Sequence, residues 1–130
     1  MVRADFEDDN AWHEIERIAR APVGPEAFLA YLQFLDDRSY ERVSPEELLA
    51  LAGTRYRHNF IVLADAVSMK PPDHPVLVID LGEERGRSFR AIPSALQSVE
   101  NNLSLANLDF VDFAEAADAT ADRILRQLTD

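Results

Sequence analysis

Three histidines, His13, His58 and His74, come first. A chain without cysteine must build any zinc site from imidazole and carboxylate. Their spacing offers no ligand pattern. His13-Glu14 opens a His-Glu-x-x-His reading, but Arg17 stands where the second histidine belongs. Capping or solvent exposure is the plainer expectation for each. No serine lies in a Gly-x-Ser-x-Gly context. Paired carboxylates are plentiful, at Asp8-Asp9, Asp36-Asp37 and Glu83-Glu84, and Asp5, Asp36, Asp65 and Asp80 each end an expected strand. In a doubly wound parallel sheet such acids converge at one edge and hold a magnesium ion, as in a receiver-like phosphorylation site. Turn and cap duty explains each of them singly. Of the four glycines, Gly82 and Gly86 sit in a Glu/Arg loop rather than before a helix, so no phosphate loop is expected, and no cofactor.

Two arginine clusters, Arg55-Arg57-His58 and Arg85-Arg87-Arg90, are interleaved with Tyr56 and Phe89. Such a pattern could face nucleic acid, but pairing with the abundant acids is the stronger expectation. Arg87 and Arg90 are expected to point to solvent from an edge strand. Glu100-Asn101-Asn102 is the most distinctive polar group. Adjacent amides can read a peptide or a base edge. Asparagine also tolerates left-handed backbone and ends helices, and that structural role is favoured. Glu100, Asn101 and Asn102, with Asp112, Glu115 and Asp118, are the candidate partner-binding residues.

The elements that must position these residues are legible in part. Val2 to Phe6 reads as a short first strand. Asp8, Asp9 and Asn10 supply N-caps for an amphipathic helix from about Ala11 to Arg20, with Trp12, Ile15, Ile18 and Ala19 on one face. Pro22, Gly24 and Pro25 stop it. Within Ala27 to Leu35 the second half reads as a strand. Ser44-Pro45-Glu46-Glu47 is a capping box opening a helix that Gly53 ends. Strands follow at Asn59–Ala64, Val76–Leu81 and Ser88–Ile92. The six-residue link Gly82–Arg87 is too short for a parallel crossover, so the three form an antiparallel meander. A helix begins at Pro93-Ser94, with Ser94 and Gln97 at capping-box spacing, and ends at Asn101-Asn102. A last helix, capped by Asn107 or Asp109, carries Phe110, Phe113, Ala117, Ala121, Ile124 and Leu128 on one face. Asp112, Glu115, Asp118 and Asp122 lie on the other. The fold class is α+β: a mostly antiparallel sheet, a central meander, packed by an N-terminal helix and a C-terminal helix.

At 130 residues the chain has the size of one domain. Its 24 acids against 13 Lys and Arg give a formal net charge of -11. A free-standing nucleic-acid binder is normally basic, so nucleic acid and an anionic membrane surface are both disfavoured. No apolar run approaches the roughly 20 residues that span a bilayer. The first residues lack the apolar core of a signal peptide, so a cytoplasmic location is expected.

Several stretches resemble an uncharacterised bacterial domain-of-unknown-function family, number 6924. The strongest is Val99-Glu100-Asn101-Asn102-Leu103-Ser104-Leu105-Ala106-Asn107-Leu108-Asp109-Phe110. Tyr56-Arg57-His58, the run His74 to Leu81, Phe89 to Ser94 and the opening Asp5 to Asp9 with Trp12 add to it. Ala119 to Asp130 departs from the family pattern, which leaves the length of the last helix open. The resemblance carries no activity. A shorter likeness, a strand meander followed by Asp109-Phe110-x-x-Phe113, is similar to the end of the SUKH superfamily. That likeness implies an α+β fold and toxin binding by an immunity protein rather than catalysis. The expected function is therefore a non-enzymatic acidic module that binds a basic protein, with an immunity-type inhibitor of a basic toxin as the specific form that the SUKH likeness implies. One alternative is a metal-dependent enzyme or regulator using the strand-end aspartates. Another is a dimerisation domain whose Phe110–Leu128 stripe meets a partner helix, so monomer and homodimer both stay open.

Overall fold

The computed structural model describes residues 1–53, 58–105 and 107–127. Five strands form one sheet in the order β1-β2-β3-β4-β5: β1 (Val2–Arg3), β2 (Phe60–Ala64), β3 (Val76–Asp80), β4 (Ser88–Ala91) and β5 (Ile124–Leu125). The central three are the expected antiparallel meander, with Val62 opposite Val78 and Val78 opposite Phe89. The short outer strands run parallel to their neighbours, β1 along β2 and β5 along β4. Four helices accompany the sheet among the described residues: α1 (Asp9–Arg20), α2 (Pro45–Ala52), α3 (Leu96–Ser104) and α4 (Phe110–Asp118). The fold is thus α+β with a mostly antiparallel sheet. No described helix is long and apolar enough to cross a membrane.

The strands alternate between two buried clusters, as a period-two chain must. Val62, Ala64, Val76, Val78, Phe89 and Ala91 join Trp12 and Ile15 of α1, Leu96 and Val99 of α3, and Phe113 and Ala117 of α4. Val2, Ile61, Leu63 and Ile79 join Leu48 of α2. Trp12 and Phe113 are fully buried, and each side chain contributes about 1.5–3 kcal/mol on burial. Phe89 lies 5.0 Å from Phe110 and 6.2 Å from Phe113, centroid to centroid, which locks α4 onto β4.

Local signals worked where a side chain caps a helix. Asp8 accepts from the Ala11 N–H at 2.9 Å and starts α1. Ser44 and Glu47 complete the capping box of α2. Five expectations need correction. The first strand stops at Arg3 rather than Phe6, because the Arg3 side chain turns into a hub. Its guanidinium reaches Asp9 at 2.6 Å, Asp36 at 3.2 Å and the Asp5 carbonyl at 2.8 Å, over the Phe6 ring. The stretch from Ala27 to Leu35 contains no strand. Ala27 takes a φ of 55°, and Leu35 only bridges the flank of β1. Asn101 and Asn102 lie within α3, which opens through a 3₁₀ turn at Pro93–Ala95 without the expected Ser94 cap and continues to Ser104.

The fourth correction concerns the last helix, which ends at Asp118. Thr120 bonds the Ala117 carbonyl at 2.8 Å and accepts from the Ile124 N–H at 3.0 Å, and Arg123 adopts a φ of 59°. The chain reverses, and Ile124-Leu125 become β5 beside Arg90-Ala91. The expected apolar stripe is therefore broken before Ala121, and Leu128 lies outside the described residues. β4 is also not an edge strand, since β5 covers it.

Candidate functional site

The tightest polar construction is the β3–β4 hairpin loop. Asp80 is buried, and its two carboxylate oxygens accept from the Gly82 N–H at 2.8 Å and the Glu84 N–H at 2.9 Å. A Cβ on Gly82 would lie 3.2 Å from the Asp80 Oδ1, and Gly86 has a φ of 95°, so both positions favour glycine. The loop thus wraps around Asp80 and projects Glu83 and Glu84 outward. Arg87 pairs with Glu84 at 2.7 Å. Its pKa is raised chiefly by that hydrogen bond, with Glu84, Asp118 and Glu115 adding charge attraction. The hairpin loop and the outer face of α4 therefore share one electrostatic neighbourhood.

Between this loop and the α3–α4 connection lies a cleft of about 340 Å³. Leu103, Leu108, Phe110 and Val111 give it apolar walls, and Glu83, Glu84 and Asp109 give it acid. Asp109 is the N-cap of α4, and its N–H donates to Asp112 at 2.9 Å. The Asp112 carboxylate is thus held by the helix start, while Glu115 and Asp118 stay exposed. Such a cleft suits an alkyl chain that ends in a cation.

The remaining candidate residues are dispersed along α3. Asn102 donates to the Ser98 carbonyl at 2.8 Å, and its own carbonyl accepts from Asn107 at 3.0 Å. Asn101 is exposed, and its carbonyl receives the Leu105 N–H. Glu100 accepts from the Ser104 hydroxyl at 3.2 Å and lines a second groove beside Tyr31 and Phe60. Asp122 sits in the turn after α4 and binds Arg126 at 2.7 Å. That contact lowers its pKa to about 2.

The strand-end aspartates are not brought together as a set. Asp80 pairs in register with Phe60 at the start of β2, whereas Asp65 follows the end of that strand, about 16 Å away along the strand. Asp65 is gripped by Arg90 at 2.8 Å through both oxygens. Burial raises its pKa, but the Arg90 bonds and charge, with Ser68, outweigh that and leave it lowered. Asp36 belongs to Arg3. Among the described residues, no group of three or more His, Asp or Glu is arranged to hold a metal.

The described arginines of the second cluster are engaged internally. Arg85 closes the C-terminus of α2 through the carbonyls of Leu49 and Gly53. Arg87 and Arg90 meet Glu84 and Asp65. Arg55, Tyr56 and Arg57 lie outside the described residues. One buried assembly has no signal in the residue pattern. Ser68 is buried and donates to the Pro75 carbonyl at 2.9 Å, and His74 donates from Nδ1 to the Ser68 carbonyl at 3.0 Å. Together with Asp65–Arg90 they tie the β2–β3 connection to β4. The Ser68 hydroxyl faces Asp65 rather than the imidazole, so the trio does not make a nucleophile.

No curated protein and no solved structure matches the chain. A family model does, over residues 1–128. The chain belongs to that family, which is described as a domain of unknown function, DUF6924.

Proposed function

We propose that this domain is a non-enzymatic binding module that takes a basic protein partner on its acidic side, as an immunity-type inhibitor of a basic toxin would. The observation that carries the reading is the cleft between the β3–β4 loop and α4. It combines apolar walls with Glu83, Glu84 and Asp109, and Glu115 and Asp118 stand exposed nearby. A formal net charge of -11 gives long-range attraction for a cationic surface, and the cleft gives a place to seat a lysine or arginine stem. Of the other candidates, Glu100 lines the second groove rather than this cleft, and Asn102 bonds back to Ser98 within α3.

The alternatives draw less support. A magnesium-dependent reaction at Asp5, Asp36, Asp65 and Asp80 would need these acids to meet, and Arg3 and Arg90 occupy two of them. A dimer through the Phe110–Leu128 stripe would need a continuous helix, and α4 ends at Asp118.

Co-purification from the native cell tests the reading. The wild-type chain is compared with the triple variant Glu83→Lys, Glu115→Lys, Asp118→Lys at low and high salt. A basic protein retained only by the wild type, and released by salt, supports the proposal. Identical captures by both chains, or no basic protein at low salt, overturn it.

A further inference from the structure

Asp80 is a buried charge without a counter-ion. It is 4 % exposed, and among the described residues no cation lies within ion-pair distance of it. The described partners of its carboxylate are the Gly82 and Glu84 N–H groups, one on each oxygen. Each carboxylate oxygen can accept more than one bond, so part of its capacity stays unused. Burying such a charge without a cation is costly. Asp80 lines the cleft between the hairpin loop and the α3–α4 connection, and so does Gly82. Gly82 does not adopt a positive φ, so its missing side chain answers to space. A Cβ there would crowd the Asp80 Oδ1 at 3.2 Å. The glycine thus leaves that oxygen approachable.

The chain meets the same demand once from within. At Arg3 one guanidinium bridges Asp9 at 2.6 Å and Asp36 at 3.2 Å, with its carbon 4.4 Å from the centre of the Phe6 ring. The cleft repeats those surroundings without the arginine. Asp80 and Glu83 supply carboxylates at two depths, Phe110 supplies the aromatic, and Leu103 and Leu108 supply apolar wall. The neighbouring arginines are spent, Arg87 on Glu84 and Arg85 on the carbonyls that end α2. An ammonium is compact and strongly hydrated, and gives up its water poorly between apolar walls. A guanidinium is less hydrated, stacks on aromatic rings and carries its donors in a planar fork that can serve two carboxylates.

We propose that the cleft is selective for arginine. A partner's guanidinium enters between the hairpin loop and the start of α4, with Asp80 as the counter-charge at the floor and Glu83 at the rim. This rests on the reading of the cleft as the seat of a basic protein and narrows it to one side chain.

The test is a titration of the ¹⁵N-labelled chain with acetyl-Gly-Arg-Gly-amide and, separately, with acetyl-Gly-Lys-Gly-amide, at low salt. The arginine peptide should move the Gly82 and Glu84 amides saturably and upfield, because a cation on Asp80 weakens the bonds those N–H groups make. It should bind at least about 5-fold more tightly than the lysine peptide. Glu83→Gln leaves the hydrogen bonds of the loop in place and should weaken the arginine peptide at least about 3-fold. Asp80→Asn should abolish the preference for arginine. If that variant loses the hairpin, the two peptides and Glu83→Gln decide alone. Equal affinity for the two peptides overturns the inference and leaves the acidic-cleft reading standing. Absent shifts at Gly82 and Glu84, or undiminished binding by Glu83→Gln, overturn it as well, while capture of a basic protein judges the broader reading separately.

Discussion

At the scale of single residues, arginine organises this molecule. Arg3 is 3 % exposed and gathers Asp9, Asp36 and the Asp5 carbonyl into one knot at the edge of the sheet. Arg90 does the same for Asp65 and the Pro75 carbonyl at 3.1 Å. Both use the planar fork that lysine lacks. Replacing Arg90 by Leu leaves the half-buried Asp65 without its cation, and the expected loss is about 1–3 kcal/mol in urea unfolding at pH 7. The pH dependence follows from the lowered carboxyl. Asp65 binds its proton less readily in the folded chain than in the unfolded one. Its contribution is therefore complete above the ordinary value of 3.8 and is lost as pH falls through the lower folded value. The gap between wild type and Arg90→Leu should be widest above about pH 5 and close in acid. A gap of constant size down to pH 2 would contradict the pairing.

At the scale of elements, the legible parts were those in which the deciding interaction lies within a few residues. Asp8 and Ser44 cap helices three residues away. The hairpin loop Gly82–Arg87 is too short for anything but an antiparallel return. Ser44→Ala should remove about 1 kcal/mol and fray the first turn of α2, seen as faster exchange of the Glu47 and Leu48 amides. Where the deciding contact is distant, the sequence misleads. Phe110 to Leu128 reads as one amphipathic helix because alanine and aspartate suit a helix surface. The Thr120 hydroxyl and the free flank of β4 win instead, and Leu125 becomes a buried strand residue. Leu125→Ala should therefore cost about 2–5 kcal/mol, as a core truncation does, whereas an exposed helix-end leucine would cost well under 1. The site shows the same division. The acidity of Glu84, Glu115 and Asp118 was plain from composition, but their gathering around Arg87 depends on α4 packing against β4 through Phe89 and Phe113. No local rule contains that contact.

At the scale of the whole molecule, the excess of acid is unevenly engaged. Arg3, Arg90 and Arg126 hold their carboxylates tightly, while Glu83 and the outer acids of α4 face solvent beside the cleft. The amino terminus shows the opposite imbalance, a cation that meets no carboxylate among the described residues. The Met1 amine is buried, which lowers its pKa from 8.0 to about 6. Between those values the unfolded chain binds more protons than the folded one, so stability rises with pH across that window. The gain is complete above the unfolded value and is lost as pH falls through the folded one, and it amounts to about 3 kcal/mol. Melting curves at pH 6 and pH 8 should show this slope in the free-amine chain. It should shrink in an N-terminally acetylated one, whose amide still donates but does not titrate. An unchanged slope would contradict the assignment to the amine.

The strand order also has a mechanical consequence. β1 and β5 flank the meander on opposite sides, and each runs parallel to its neighbour, while β2 and β4 point the same way. Val2 lies level with Ile124 across the sheet, through Leu63, Leu77 and Arg90, so a load applied between Val2 and Leu125 pulls across the strands rather than along them. Their ladders are opened along the hydrogen bonds rather than stressed in shear. Each edge strand is only two residues long, so few bonds resist the opening. The antiparallel hairpins of the meander should survive the detachment of either edge as a distinct stretched intermediate.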